Sequence, residues 1–537
     1  MKKKRTRLKI SIFIFLLLFD FSYLFVVKVQ AESVFRVGME AGYAPFNWTQ
    51  DNDKNGAVAI DGTKDQYANG YDVHVAKMLA KKLKRKLVIV KTTWDGLVPA
   101  LEAGKIDAII AGMTPTRKRR QEVDFSSNSY YTSSLVIVVN SKDRYAHAKK
   151  ILDFKEAKIT AQQGTFNYSF IKQIPGVKKQ TAMKDFAQMR QAVESGIIDG
   201  YVAEKPEAMS AQYANSAFKM ITFKKGEGFQ INSKGTTIAV GMRKGDFDLV
   251  TVNESLIAWT KEKQNNLMKK MIKLQPINKE SGQKNFFSKV LTIAQNNASQ
   301  FIRGARLTLF IALVGTLVGL VIGLAIGIFR TRSKPNNSFL FILDQIITWL
   351  LSFYIEIFRG TPMIVQAMVI YYGTAQAFHL NLDRTLAALF IVSINTGAYM
   401  SEIVRGGIFA VDKGQFEASY VLGMTHSQTM MKIVLPQVLR NILPATGNEF
   451  VINIKDTSVL NVISVVELYF SGNTVATQNF QYFQTFTIIA IIYFVMTFTL
   501  TRILRLIEKK IDGPTDYLPY ANQMQVEDVS VLKGRVK

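Results

Sequence analysis

Two hydrophobic periodicities divide the chain. From residue 32 to about 300, short apolar runs alternate with amphipathic stretches, while from 305 to 508 the apolar runs are long and nearly unbroken. In the first part, Phe35 to Gly38 reads as a strand. YDVHVAKMLAKKLKRKLVIV (71–90) comes next as a helix, with apolar residues at 73, 75, 78 and 79, and then a strand. LVPALEAGKIDAIIAGM repeats helix then strand, with Gly104 as the C-cap. ILDFKEAKITAQQGT and FAQMRQAVESGIIDGYVAE continue the order. Strands alternating with helices predict parallel sheets covered on both faces, with ligands at the C-terminal strand ends.

In the second part, 307–329, 362–379, 385–407, 442–466 and 482–506 are long enough to span a bilayer. Segment 339–358 is also apolar but carries Asp344 and Glu356. Parity places it at the cytoplasmic interface or in a re-entrant loop, leaving five crossings. The stretch GQFEASYVLGMTHSQTMMKIVLPQ (414–437) then falls in the cytoplasm. It is too long and too helix-patterned for a simple connector. Gly423 permits a break between two short helices, and Pro436 is expected to end the second. Met424, Met430, Met431, Ile433 and Val434 offer apolar contact.

Composition narrows the function. The formal charge is +26, from 67 Lys and Arg against 41 Asp and Glu. No basic arm interleaved with aromatics accompanies it, which argues against nucleic acid. The cations flank the apolar runs in the positive-inside pattern. There is no cysteine, and the four His (74, 147, 379 and 426) lack ligand spacing, so no metal site is expected. Residues 1–31 have a basic start, an apolar core and a small-residue site at Val29-Gln30-Ala31, which leaves a cleaved signal peptide and a retained anchor both open. In either case the chain from about Glu32 onward is expected to start outside the membrane.

GYAPF (42–46), GYDVHVAKMLA (70–80), WDGLVPALEAGKIDAIIAGMTPTRKRRQEVDFS (94–126) and GIIDGYVAEKP (196–206) resemble the amino-acid-binding proteins of bacterial ABC importers, the family 3 solute-binding proteins. The resemblance covers 33 to 275 and implies two α/β lobes closing on one ligand. A buried amino acid needs partners for its carboxylate and its ammonium. Of Arg117, Arg119 and Arg120, the register to Val123, Phe125 and Ser126 places Arg119 at the family's carboxylate position, where a planar fork pairs bidentately. Gly112 and Thr114 match the neighbouring backbone and hydroxyl donors. Glu204 stands where the family has an Asp for the α-ammonium. Gln162 and Thr165 lie in the second-lobe loop that touches ligand. Glu40, Tyr43 and Trp94 match the side-chain pocket. One Arg against two Glu, with two aromatic faces, favours a cationic substrate: arginine, lysine or histidine. Glutamine is the rival.

IFRGTPMIVQ (357–366), AYMSEIVRGGI (398–408), the 414–437 stretch and NEFVINIKDTSVL (448–460) resemble the permease subunits of polar amino-acid ABC importers. Within the cytoplasmic-loop signature, Glu417, Ala418, Gly423, Ile433, Leu435 and Pro436 keep the family spacing, and Ser419 replaces an Ala. In the family these are coupling helices that dock on an ATPase. The implied whole is an α/β two-lobed periplasmic-binding-protein domain followed by an all-α transmembrane helix bundle of the type I ABC importer permease fold. The expected division is a leader or anchor (1–31), an extracellular receptor (32–276), a linker (277–304), a permease (305–510) and a cytoplasmic tail (511–537). No G-x-x-x-x-G-K-[ST] loop occurs. ATP and Mg are therefore expected on a separate ATPase, in two copies beside a homodimer of this chain, in a lipid-embedded cell-membrane complex. Glu449, Asn453 and Asp456, spaced i, i+4, i+7 on one helix face, are candidates for a substrate path. A ligand-gated channel would need a pore-loop filter, a chemosensor a signalling domain, and an enzyme a nucleophile–base pair, and none is found.

Overall fold

The computed structural model describes residues 33–231, 237–276, 285–332, 335, 337–378, 380, 382–479 and 481–512. The expected leader, most of the tail, part of the linker and His379 lie outside the described residues.

Strand β1 (Val34–Met39) is flanked in parallel by β2 (Lys86–Lys91) and β3 (Ala108–Ile109). Between β1 and β2 lies α1 (Tyr71–Lys82), whose Val73, Val75, Ala76 and Leu79 are buried. The sheet continues past β3 with two more strands, the first of which runs against the others, a reversal that the alternation did not announce. Gly241–Met242 pairs antiparallel with β3 and with Asp124–Phe125. A second sheet orders Lys178–Lys179, Lys158–Thr160, Gly200–Glu204, Leu135–Asn140 and Phe218–Ile221, with only the first three parallel. The chain leaves the first lobe through Tyr131–Thr132 and returns through Thr237–Ile238, and these two stretches pair with each other. This antiparallel pair is the hinge between the lobes.

The helical half starts with α2 (Phe286–Asn296) and α3 (Ala298–Thr331). Helices α4 (Ser338–Gly360) and α5 (Arg384–Phe409) come next. Then come α6 (Lys413–Val421), α7 (Leu435–Asp456), α8 (Leu468–Asn479) and α9 (Tyr482–Asp512). Helices α3 and α5 pack side by side and run parallel. A Cβ on Gly319 would meet Thr396 at 2.7 Å, and one on Gly323 would meet Met400 at 2.5 Å. Small residues every fourth position let the two backbones approach, as in membrane helix pairs.

Among the described residues, α3, α4, α5 and α9 are long and apolar enough to cross a membrane. The helical run His426–Ile463 and α8, bent by 57° where they meet, make a fifth if taken together. The total agrees with the five crossings expected from the sequence. Their division does not. Ser338–Gly360 is one 23-residue helix of spanning length and not a short interfacial piece. Its Asp344 is buried and ion-paired with Arg332, which offsets one of the two charges that argued against crossing; the other, Glu356, is exposed. Residues 363–378, expected to span alone, are short pieces joined by a π-helical turn at Val369–Gly373. Because α3 and α5 are parallel, 338–378 makes a single passage between them.

Candidate functional site

The candidate ligand residues converge on the cleft between the lobes. Among the described residues, three hydrogen bonds across it join residues nominated from the sequence or their immediate neighbours. Tyr43 donates its hydroxyl proton to Glu204 at 2.8 Å. Gln162 Nε2 donates to Glu40 at 3.3 Å. Arg119 donates to the Gly164 carbonyl at 2.9 Å and also to the Thr114 carbonyl at 2.9 Å. The Arg119 guanidinium lies 5.0 Å from the centre of the Trp94 ring. Burial lowers its pKa to about 10, against the pull of Glu204 and Glu122, so it stays charged at neutral pH.

Glu204 stands at the N-cap position of the helix Lys205–Ala214, at the end of its strand, and its side chain accepts from Asn167 Nδ2 at 3.0 Å. Thr165 turns its hydroxyl onto the Gln162 carbonyl at 2.7 Å, shaping the loop. Gly112 differs from its expected role. Its N–H is taken by the Tyr130 hydroxyl at 2.9 Å. Its φ is +66°, and a Cβ would strike the Tyr43 ring at 2.6 Å. The glycine is there to let that ring lie against the backbone.

Three residues escaped the sequence reading. Phe186 stacks on Tyr43, with ring centroids 4.8 Å apart and planes 6° from parallel. Asp185 and Asp95 both raise the pKa of Glu40, which burial, the largest cause, and these acids together push up to about 8. Asp185 also caps the helix Phe186–Glu194 by accepting from Gln188 N. An Asp at 185 ahead of an amphipathic run is a legible N-cap, but its approach to Glu40 across the cleft is not.

A cavity of about 60 Å³ continues from Glu40 and Trp94 past Asp95, Lys184 and Asp185 to Asn461, Phe470 and Asn473 of the helical half. Other contacts between the halves lie away from it, most of them at a second cavity. Asp61 pairs with Arg384 at 3.9 Å and Asp65 with Arg303 at 3.5 Å. Lys105 sits 3.8 Å from the centre of the Tyr371 ring.

At the opposite end of the bundle, the 414–437 stretch forms an elbow. Helix α6 ends at Gly423, whose φ is +74°, and Met424 N returns to the Ser419 carbonyl at 3.0 Å. Thr425 and Gln428 form a capping box that starts the next turn. Ser419, in place of the family alanine, donates to the Phe416 carbonyl at 2.7 Å and bonds Thr429 at 2.9 Å, so it bolts the two arms together. Glu417, Ala418 and Gly423 are exposed, and Ile433 and Leu435 are half-buried. Two expectations change here. Pro436 does not end the second arm, because it lies in the first turn of α7 after a π-helical turn at Met430–Val434, where a missing N–H is tolerated. Met430 and Val434 pack inward against Ile408 and Val411, while Val421 (87% exposed) and Leu422 (79% exposed) face outward instead.

Of the three path candidates, Asn453 is buried. Its Nδ2 donates to Thr316 Oγ1 at 2.8 Å and to Thr396 Oγ1 at 2.9 Å, tying α7 to α3 and α5. That network gives Asn453 a packing role. Glu449 and Asp456, on the same helix, are half-buried.

Residues 35–274 match the model of bacterial extracellular solute-binding proteins, family 3. Residues 319–513 match that of the binding-protein-dependent transport system inner membrane component. The glutamine transport system permease protein GlnP of Escherichia coli (strain K12) is 38% identical over 210 residues, 39% of this chain and 91% of GlnP. The arginine transport system permease protein ArtQ of Bacillus subtilis (strain 168) is 36% identical over 163 residues, 30% of this chain and 74% of ArtQ. A crystal structure described as an amino acid ABC transporter with histidines is 36% identical, covering 42% of this chain and 99% of its own at a TM-score of 0.37. With both halves matched, the chain belongs to the amino-acid ABC importers, as a family 3 solute-binding domain and a binding-protein-dependent permease domain fused in one polypeptide.

Proposed function

We propose that this chain is the receptor and membrane subunit of an ATP-driven importer selective for cationic amino acids. The receptor occupies 32–276 and the permease 305–510. The observation that carries the reading is the acid group at the inner end of the cleft. Glu40 is half-buried, and Asp185 and Asp95 stand within its electrostatic reach. Three carboxylates against the partly opposing Lys91 and Lys184 favour a guanidinium, ammonium or imidazolium there. Arg119 takes the α-carboxylate, Glu204 the α-ammonium, and Tyr43, Trp94 and Phe186 enclose the side chain. A glutamine amide satisfies a protonated Glu40 by hydrogen bonding but brings no cation to Asp95 and Asp185.

In the proposed cycle the lobes close on the amino acid outside the membrane. The loaded receptor sits over the permease mouth, and Glu449 and Asp456 attract the cation within the bundle. A homodimer of this chain carries two copies of a separate ATPase, which holds ATP and Mg. The ATPase grips the elbow at Glu417, Ala418, Gly423, Ile433, Leu435 and Pro436 on the cytoplasmic side, where the C-terminus also lies. The chain itself catalyses no reaction.

The sign of the pH dependence comes from Glu40. Its free-site pKa stands at about 8, and a bound cation lowers it. Binding below that pH expels a proton, so arginine affinity rises by about tenfold per pH unit between pH 6 and 8. Lys91, whose pKa burial lowers to about 7, loses its repelling charge over the same range and works in the same direction. Glu40→Gln removes the proton exchange and weakens arginine binding by about 10- to 100-fold at pH 8, the usual worth of a buried charge-assisted bond. Calorimetry in two buffers of different ionisation enthalpy checks both. A flat pH profile together with an unaffected Glu40→Gln variant would overturn the cationic reading.

A further inference from the structure

Lys91 ends β2 at the carboxyl edge of the first lobe and is 8% exposed. Its ammonium donates to Thr474 Oγ1 at 2.7 Å and to Thr49 Oγ1 at 3.3 Å. It also lies 4.8 Å from the centre of the Phe470 ring. Thr474 and Phe470 belong to α8 of the permease, so the nearer hydroxyl and the aromatic face around this buried charge come from the other half of the chain. A buried ammonium is costly unless partnered. Its nearer hydrogen-bond partner is on α8, and the farther one on its own lobe.

The second lobe makes the matching contact. Lys184, beside Asp185 in the cleft wall, donates to Asn461 Oδ1 at 3.4 Å. Lys91 and Lys184 flank the same cavity, one from each lobe. The separation between them depends on how far the lobes have closed. Both bonds to one permease surface therefore require the closed spacing.

The permease side is built to pass this on. Helix α8 is joined to the run that starts at the elbow by the 57° bend after Ile463. Glu467 fixes that bend by accepting from Tyr469 N at 2.9 Å, Phe470 N at 2.7 Å and the Tyr493 hydroxyl at 3.0 Å. Helix α7, at the far end of the same run, begins where the elbow ends.

We propose that Lys91 and Lys184 are positioning residues that read lobe closure, by donating together to Thr474 and Asn461 on α8 and the segment before it. Neither is assigned to the substrate itself. The reading holds whichever amino acid binds, and it is separable from the cationic one.

The test uses the full chain with its ATPase in lipid vesicles, first titrated with L-arginine and L-glutamine to find which binds. Lys91→Met relieves repulsion beside Glu40 but also removes a contact made only by closed lobes, two effects of opposite sign, so arginine affinity changes by less than about tenfold. Its substrate-stimulated ATP hydrolysis falls by about tenfold, the scale of one buried charged hydrogen bond. Thr474→Val falls alike, and the double variant is no worse than either single one, as expected for partners in one contact. Lys91→Arg restores part of the stimulation. If Lys91→Met stimulates like the parent, if the two substitutions add, or if binding is lost in step with stimulation, the proposal is overturned. If glutamine binds and arginine does not, the same four measurements made with glutamine decide the matter for Lys91, while the cationic reading fails on its own.

Discussion

Arg119→Met lowers the affinity for every amino acid by about 100- to 1,000-fold, whatever the side chain. The substitution keeps an apolar body against Trp94 but removes the guanidinium. The α-carboxylate common to all amino acids then enters the closed cleft without a cation, and leaving one member of a buried charge pair alone costs about 2–5 kcal/mol. The loss has a second part. Arg119 also donates to the Gly164 carbonyl of the opposite lobe, so closure itself is weakened. Arg119→Lys recovers little, because a point charge cannot hold Thr114 O, Gly164 O and a carboxylate at once. Calorimetry on the full chain with arginine, lysine, histidine and glutamine measures this. Equal loss for all four places Arg119 on the α-carboxylate. Loss confined to one substrate would place it on the side chain instead.

The other large effect falls at the far end of the molecule. Val421→Asp combined with Leu422→Asp abolishes ATP-driven uptake and leaves amino-acid binding as it was. These side chains stand outward at the corner of the elbow, next to Gly423. Burying two carboxylates in an apolar contact costs several kcal/mol in total, enough to reduce association with the ATPase by about 100-fold or more. The elbow itself survives, because its bolts are Ser419 to Thr429 and the Thr425–Gln428 capping box, which the substitutions do not touch. Co-purification of the ATPase and uptake into vesicles report the effect. Full association with the doubly substituted chain would remove the elbow from the contact.

Much of this was legible in the sequence because it is local or carried by spacing. The helix–strand alternation gave the parallel strands, Gly423 gave the elbow break, and the resemblance to family 3 binding proteins gave the two lobes and, through the register to Phe125, Arg119 as the candidate. What escaped depends on contacts across long separations. Tyr43 and Phe186 meet only after the second lobe folds back over the first. The N–H of Gly112 is consumed by Tyr130. Asp344 looked too polar for a crossing helix until Arg332 paired it. Pro436 looked like a helix end because a π-helical turn, which absorbs its missing N–H, leaves no simple sequence mark. Asn453 shared its face with two acids by spacing alone, yet the neighbouring threonines of α3 and α5 claimed it.

The most direct measurement is ATP-dependent uptake of labelled L-arginine by the full chain and its ATPase in sealed vesicles, with unlabelled competitors in excess. The expected result is saturable arginine uptake, suppressed by lysine or histidine and little affected by glutamine. Accumulation of glutamine with no transport of, or competition by, the cationic three would contradict the substrate assigned to the Glu40, Asp95 and Asp185 cleft.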